Sequence, residues 1–191
     1  MDIRVENLNK SFNGKQVLKD LNINFPKGKI TCLMGASGTG KTTLANILMN
    51  LLKPDSGRVE GLEGKKISAV FQEDRLIEHW DAIENIRLVN NLGLTKEKIN
   101  EHLKEINLKD YEEKPVRLLS GGMRRRVALV RAILSDYDVL ILDEPFKGLD
   151  EELKKQVINY IRKMAKGKTV IIITHDREDI DLLDANLISL P

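Results

Sequence analysis

The chain has 191 residues, with 31 basic against 29 acidic side chains and a formal net charge of +2. That length suits one domain, able to bury about 70% of the surface its unfolded chain exposes. The balanced charge gives no reason to expect DNA or RNA as a partner; the single Cys32, in an apolar run, excludes an internal disulfide, fits a reducing cytosol and reads as core packing.

Residues 1–10 mix charges at short intervals and lack the apolar centre of a signal peptide. The apolar runs at 139–142 and 170–173 fall far below the roughly 20 residues a bilayer crossing needs. The chain is therefore expected to be soluble, with any membrane role exercised through another polypeptide. Strands are predicted over 3–6, 17–25 and 30–34, with Asn13-Gly14 and Pro26-Lys27-Gly28 as turns. The last of these runs into Gly35-Ala36-Ser37-Gly38-Thr39-Gly40-Lys41-Thr42. A helix starts at Lys41, carries Leu44, Ile47, Leu48, Leu51 and Leu52 on one face, and is stopped by Pro54-Asp55-Ser56-Gly57. Residues 67–71 form a short strand ending at Gln72.

From 78 to 135 the periodicity is helical, with helices expected over 82–92, 95–106 and 121–134. Thr95 with Glu97 in the following turn opens the second. Val127, Val130 and Leu134 line one side of the third. Alternation then resumes: strand 139–142, helix 151–166, strand 169–173, helix 176–184, strand 186–190. Two α/β stretches around a helical insert imply one nucleotide-binding core, 1–77 and 136–191, with a helical subdomain at 78–135. No internal repeat, low-complexity tract or linker is apparent.

The glycine-rich octapeptide fills the phosphate-loop pattern G-x-x-x-x-G-K-[ST] without a mismatch. Its glycines let the backbone turn so that N–H groups of Ala36, Ser37, Gly38, Thr39 and Gly40 point at phosphate oxygens, and the helix adds its positive end. Lys41 is expected to reach the β- and γ-phosphates of ATP and Thr42 to ligand Mg²⁺, with Thr43 beside it. Val139-Leu140-Ile141-Leu142 ends in Asp143-Glu144. A carboxylate at the end of a strand beside the phosphate loop can hold Mg²⁺ through water, and Glu144 can orient or deprotonate an attacking water. Two such acids could also be a solvated turn; the apolar run before them and Pro145 behind favour the chemistry. Leu119-Ser120-Gly121-Gly122-Met123 offers a hydroxyl and free N–H groups at a helix N-terminus. A cap needs only one such residue, whereas bare glycines admit a phosphate.

Read together, these segments resemble the ATP-binding cassette (ABC) family of ATPases over the whole chain. Residues 119–123 match its signature, with Met123 where Gln is commoner. Gln72 falls at the Q-loop position, Leu149-Asp150 at the D-loop and His175 at the switch histidine. Phe12 stands where the family places an aromatic that stacks on adenine, with Val17 as a second contact. The resemblance implies an α/β fold: a P-loop NTPase core of ABC type, with an N-terminal antiparallel β-subdomain and an inserted α-helical subdomain. It also implies that Ser120, Gly121 and Gly122 cover the γ-phosphate held by an opposite subunit, so two cassettes are needed. His175 would hold the γ-phosphate and Gln72 would sense Mg²⁺ or the attacking water. Arg125 departs from a Gln common in the family; the run Arg124-Arg125-Arg126 reads as a solvated face or a set of ion pairs, and Lys147 as a variable position. His79 and His102 read as surface histidines. The chain ends soon after the last motif, so a C-terminal extension is not expected.

The implied function is the ATPase subunit of an ABC transporter, of bacterial importer type, peripheral on the cytoplasmic face of the cell membrane through permease subunits. Residues 71–76, Gly122-Met123 and 144–146 look most like importers of the nitrate, sulfonate, taurine or thiamine-precursor kind. Residues 77–82, with Trp80, are the candidate contact with the permease, although Trp80 could equally be core. Exporter or lipoprotein-release ATPases and soluble family members are the alternatives. Residues 78–118 are too short for the coiled-coil insertion of chromosome and repair types, and no N-K-x-D motif selects GTP.

Overall fold

A computed structural model describes residues 1–89, 93–110 and 113–190. Among the described residues eight strands form two sheets. In the first, β1 (Ile3–Phe12) lies between β2 (Lys15–Phe25) and β4 (Ser56–Glu60), antiparallel to both. Asn13 and Gly14 turn the β1–β2 hairpin with φ of 49° and 78°, the left-handed pair that a two-residue turn requires. Strand β4 was not expected from the sequence, where Ser56-Gly57 reads as a turn. Its Gly57 packs so close to β1 that a Cβ would stand 2.4 Å from the Asn7 carbonyl oxygen, so the residue that signals a turn is here required by strand contact.

The second sheet is parallel, in the order β5 (Ile67–Val70), β6 (Val139–Asp143), β7 (Thr169–Ile173), β3 (Ile30–Met34), β8 (Asn186–Ser189). Strands β6 and β7 are buried throughout, as expected for a sheet covered on both faces. Period-2 alternation divides their side chains. Leu140, Leu142, Val170, Ile172 and Cys32 join one apolar cluster with helices α2 (Ala82–Arg87), α3 (Lys96–Glu105), α4 (Gly121–Ile133) and α5 (Glu151–Met164). Val139, Ile141, Ile171, Ile173 and Leu33 join a second with α1 (Lys41–Leu48) and the inner face of the antiparallel sheet. Cys32 is a core residue, its thiol pushed up to about 12 by burial.

Several boundaries differ from expectation. Helix α1 ends at Leu48 and the left-handed Asn50 (φ 56°) turns the chain out, leaving Leu51 exposed. Helix α2 stops at Arg87; of its expected extension to 92, residues 90–92 lie outside those described. Asp81 caps it in a reciprocal capping box with Glu84. The last helix, α6 (Glu178–Leu183), closes at the left-handed Asp184.

Two surface readings are overturned, that of residues 124–126 as a solvated face and that of His102; the ion-pair alternative holds for Arg125, which pairs with Asp74 at 3.1 Å. Helix α4 is buried on more than one side, because Arg125 and Arg126 are enclosed with the apolar residues after them. His102 is also buried: it shares the inward face of α3 with Ile99 and Leu103, and its Nδ1 lies 3.1 Å from the Tyr160 hydroxyl on α5. Burial holds its pKa below the ordinary histidine value. The unfolded chain therefore takes up a proton near pH 6.5 that the folded chain accepts only at lower pH, and stability falls as pH drops through that window. The thermal midpoint of the wild type should fall more between pH 7.5 and 5.5 than that of His102→Gln, which keeps a polar partner for Tyr160. Parallel curves for the two proteins would contradict this.

Candidate nucleotide site

The carboxyl ends of β3, β5, β6 and β7 point the same way, where open parallel sheets bind ligands. Met34 leads into the glycine loop, which wraps back to the start of α1. Gly40, the residue before α1, has φ 91°, and a Cβ there would lie 2.5 Å from the Leu18 side chain and 3.0 Å from that of Val17. The left-handed φ and the Val17 carbonyl, 3.2 Å from such a Cβ, favour glycine there. Lys41 Nζ donates to the carbonyls of Gly35 and Ala36 at 2.8 Å each, so the ammonium lies within the curve of the loop. Thr39 Oγ1 donates to the Ala36 carbonyl at 3.0 Å and braces the same curve.

In the sheet, β7 lies between β6 and β3. Even so, the Thr42 hydroxyl donates to Asp143 Oδ2 at 3.0 Å, bridging the gap from the start of α1. Asp143 is buried, and burial raises its pKa, with the Thr42 hydrogen bond acting in opposition. Glu144 follows in the left-handed conformation (φ 49°), which costs a non-glycine residue about 1 kcal/mol. Its N–H donates to the Ile173 carbonyl at 2.9 Å, tying it to the end of β7. Its carboxylate oxygens lie 3.9 Å from His175 Nδ1 and 3.5 Å from Lys147 Nζ.

A cleft of about 410 Å³ joins these parts, lined by Val17, Gly35, Ser37, Gly38, Gly40, Lys41, Thr42, Thr43, Gln72, Asp143, Glu144, Ile173 and His175. Almost all of the sequence-predicted loop and acid residues thus meet in one place. His175 is largely exposed, projecting into the open cleft from the end of a buried strand. A buried network holds its neighbours: Thr174 Oγ1 hydrogen-bonds Asp179, whose other oxygen lies 2.6 Å from Lys154 Nζ of α5. Lys154 also pairs with Asp176, holding that carboxyl below the usual range. Neither Lys154 nor Asp179 had a signal in the sequence beyond its charge.

Other predicted residues fall elsewhere. Phe12 does not line the cleft; it is exposed at the tip of the β1–β2 hairpin, under Lys10 Nζ at 5.4 Å from the ring centroid. Ser120, Gly121 and Gly122 do not line it either. Ser120 caps α4, its hydroxyl accepting from the Met123 N–H at 3.3 Å. A Cβ on Gly122 would lie 3.1 Å from the Gly148 carbonyl, so the signature packs against the turn that follows Glu144. Trp80 is half-buried, and its loop is splinted by Asn85, which exchanges hydrogen bonds with both the N–H and the carbonyl of Ile77 at 2.8 and 3.1 Å.

Among the described residues no group of three or more His, Cys, Asp or Glu side chains could hold a metal ion. The oxygen donors Thr42 and Asp143 nevertheless fit a hard cation that takes one or two protein ligands and completes its shell with phosphate and water, as Mg²⁺ does. A buried carboxylate with a raised pKa is a cost to the fold above its pKa, absent at acid pH and present at neutral pH. Asp143→Asn should therefore raise the thermal midpoint of the nucleotide-free protein at neutral pH and remove the extra stabilisation that Mg²⁺ adds to ATP. Retention of that Mg²⁺ increment in the variant would contradict the assignment.

The chain is similar to known proteins over most of its length. The protein family described as "ABC transporter" matches residues 18–147. The chain is 38% identical over 193 residues to a probable sulfate/thiosulfate import ATP-binding protein, CysA, of Chlorella vulgaris, covering 92% of this chain and 81% of that one. It is 37% identical over 194 residues to the spermidine/putrescine import ATP-binding protein PotA of Clostridium novyi (strain NT), covering 93% and 56%. The chain thus spans about half the length of that relative and of the CysA of Neisseria meningitidis serogroup A, with which it is 34% identical. A solved structure described as "Dimeric Structure of MJ0796, a Bacterial ABC Transporter Cassette" superposes with a TM-score of 0.84 at 29% identity, covering 98% of this chain and 94% of that one. With the phosphate loop, the acids and the signature on one α/β scaffold, the chain belongs to the ABC transporter family of ATP-binding cassettes.

Proposed function

We propose that this chain is the ATP-binding and ATP-hydrolysing subunit of an ABC importer, in which MgATP closes a pair of cassettes and so drives separate membrane subunits. One observation carries the reading: Lys41, Thr42, Gln72, Asp143, Glu144 and His175 converge on one cleft, while Ser120, Gly121 and Gly122 present their donors outside it. A second cassette, identical or homologous, would bring its signature over the open side and complete the wall around the γ-phosphate.

The chain's own groups supply one side of the site for in-line attack by water. Lys41 and the loop N–H groups hold the phosphates. Glu144 accepts a proton from water as its oxygen bonds to the γ-phosphorus, and the bond to the β–γ bridging oxygen breaks to give ADP and inorganic phosphate. His175 donates to a γ-phosphate oxygen and Gln72 orients the water. Mg²⁺, held by Thr42 and Asp143 with Gln72 in reach, would neutralise charge on the phosphates.

Importer identity is supported by relatives named for import of sulfate/thiosulfate and of spermidine/putrescine. The narrower likeness to nitrate, sulfonate, taurine or thiamine-precursor importers rests on residues 71–76, 122–123 and 144–146 alone, and these relatives broaden it to importers in general. Among the described residues no helix is long and apolar enough to cross a membrane, in keeping with a subunit that reaches the cytoplasmic face through permease chains. The splinted loop at 77–81 and the cleft of about 200 Å³ beside Gln72, lined in part by Met49, Phe71 and Arg75, are the surface proposed to meet them.

The test is Glu144→Gln. It should abolish steady-state hydrolysis, retain ATP binding and accumulate as an MgATP-bound dimer on size-exclusion chromatography. Turnover at the wild-type rate would overturn the role given to Glu144.

A further inference from the structure

Arg125 is buried to 4% exposure on α4, five residues after the capping Ser120, and every acceptor it reaches belongs to the site or its margin. Nη1 donates to the Phe71 carbonyl and to Asp74 Oδ1 at 3.1 Å. Nη2 donates to the carbonyls of Gln72 at 3.1 Å and Asp143 at 3.2 Å. One planar guanidinium thus joins three separate segments: α4, the loop after β5 and the end of β6. Arg131, further along α4, holds the next part of the same loop through the carbonyls of Asp74 and Arg75 at 2.9 and 2.8 Å.

The Asp143 carbonyl belongs to the peptide group whose N–H is that of Glu144. That N–H donates to Ile173, so the peptide plane is held at one end by Arg125 and at the other by β7. Glu144 leaves this plane at φ 49°, a left-handed torsion its side chain would not choose unaided. The direction of the Glu144 carboxylate therefore depends on a plane that Arg125 helps to fix. The Gln72 peptide is anchored by the same nitrogen. A glutamine at position 125, common in the family, has one amide group with two donor hydrogens, too few to engage all four acceptors.

We propose that Arg125 is a positioning residue for Glu144 and Gln72, holding both to the helix that carries Ser120, Gly121 and Gly122. It touches no substrate. It sets the backbone from which two water-handling side chains project, and it makes any movement of α4 a movement of those side chains. The inference rests on the reading of Glu144 as the carboxylate that accepts the proton.

The experiment measures MgATP dissociation constant, kcat and thermal midpoint for Arg125→Gln and Arg125→Met, with Glu144→Gln beside them. Both Arg125 variants should bind MgATP within about twofold of the wild type, since no phosphate contact is lost. Their kcat should fall by roughly ten- to a hundredfold, the scale for a reacting group displaced by up to an ångström. The loss should be smaller for Gln, which keeps part of the hydrogen bonding, than for Met. If burying Met beside four unpaired acceptors prevents folding, the Gln variant alone decides. A kcat within twofold of wild type in the folded variants would overturn the proposal, as would loss of affinity in step with kcat. Wild-type turnover by Glu144→Gln would instead remove the reading on which it rests, whatever Arg125 does.

Discussion

The hydrogen bond from Thr42 to Asp143 joins segments 101 residues apart and spans a strand that separates them in the sheet. The rest of the site is arranged about it. On one side the glycine loop is closed by Lys41 and by the tight approach of Gly40 to the β1–β2 hairpin. On the other, Glu144 turns left-handed and is held by the carbonyl end of β7, which also delivers His175. A buried carboxylate facing a hydroxyl is a poor arrangement for stability alone, because the ionised form is desolvated and its partner is neutral. A hard cation held by Thr42 and Asp143 would offset that cost, so the fold and the nucleotide reading depend on the same pair.

The polarity of the cleft has a second consequence. Apart from His175, the donors available to a phosphate chain belong to the loop, Lys41 and the start of α1, on one side of the cleft. The other donors expected from the motifs stand at the start of α4, packed against Gly148 rather than over the cleft. The chain ties these two faces together internally. Arg125 and Arg131 hold the loop after β5 to α4, and Lys154 of α5 holds the turn around His175 through Asp176 and Asp179. Each link is a charged group whose desolvation is offset by several acceptors at once, an arrangement that fixes relative positions more than it adds stability.

Much of this was legible in the sequence. The phosphate loop is a local conformation set by glycines at fixed spacing, and β6 and β7 are apolar runs that only a doubly covered sheet accommodates. Strand β4 was missed because Gly57 signals a turn by its own preference, whereas its need arises from Asn7, half a hundred residues away in the chain. Arg125 and His102 were misplaced for the same reason: polarity argues for solvent, and only the tertiary fold supplies the carbonyls or the Tyr160 hydroxyl that let them be buried. A cue existed for both. Arg125 is followed at the third, fourth and seventh positions by Ala128, Leu129 and Ala132, and His102 stands between Ile99 and Leu103, so each occupies an apolar helical stripe. Phe12 was placed by resemblance rather than by any pattern of its own, for stacking on adenine; it is exposed on the hairpin tip, outside the lining of the phosphate cleft.

Sharing of the site between subunits can be tested without any membrane partner. Lys41→Ala disables the phosphate loop of one copy. Gly121→Glu sets a carboxylate at the signature, where a Cβ meets nothing within 4 Å and the fold has room for it. In a mixed pair, the intact loop of the second variant faces the intact signature of the first. Hydrolysis by the equimolar mixture should then rise well above that of either variant alone. A mixture no more active than the mean of its components would mean that one chain encloses the terminal phosphoryl group by itself.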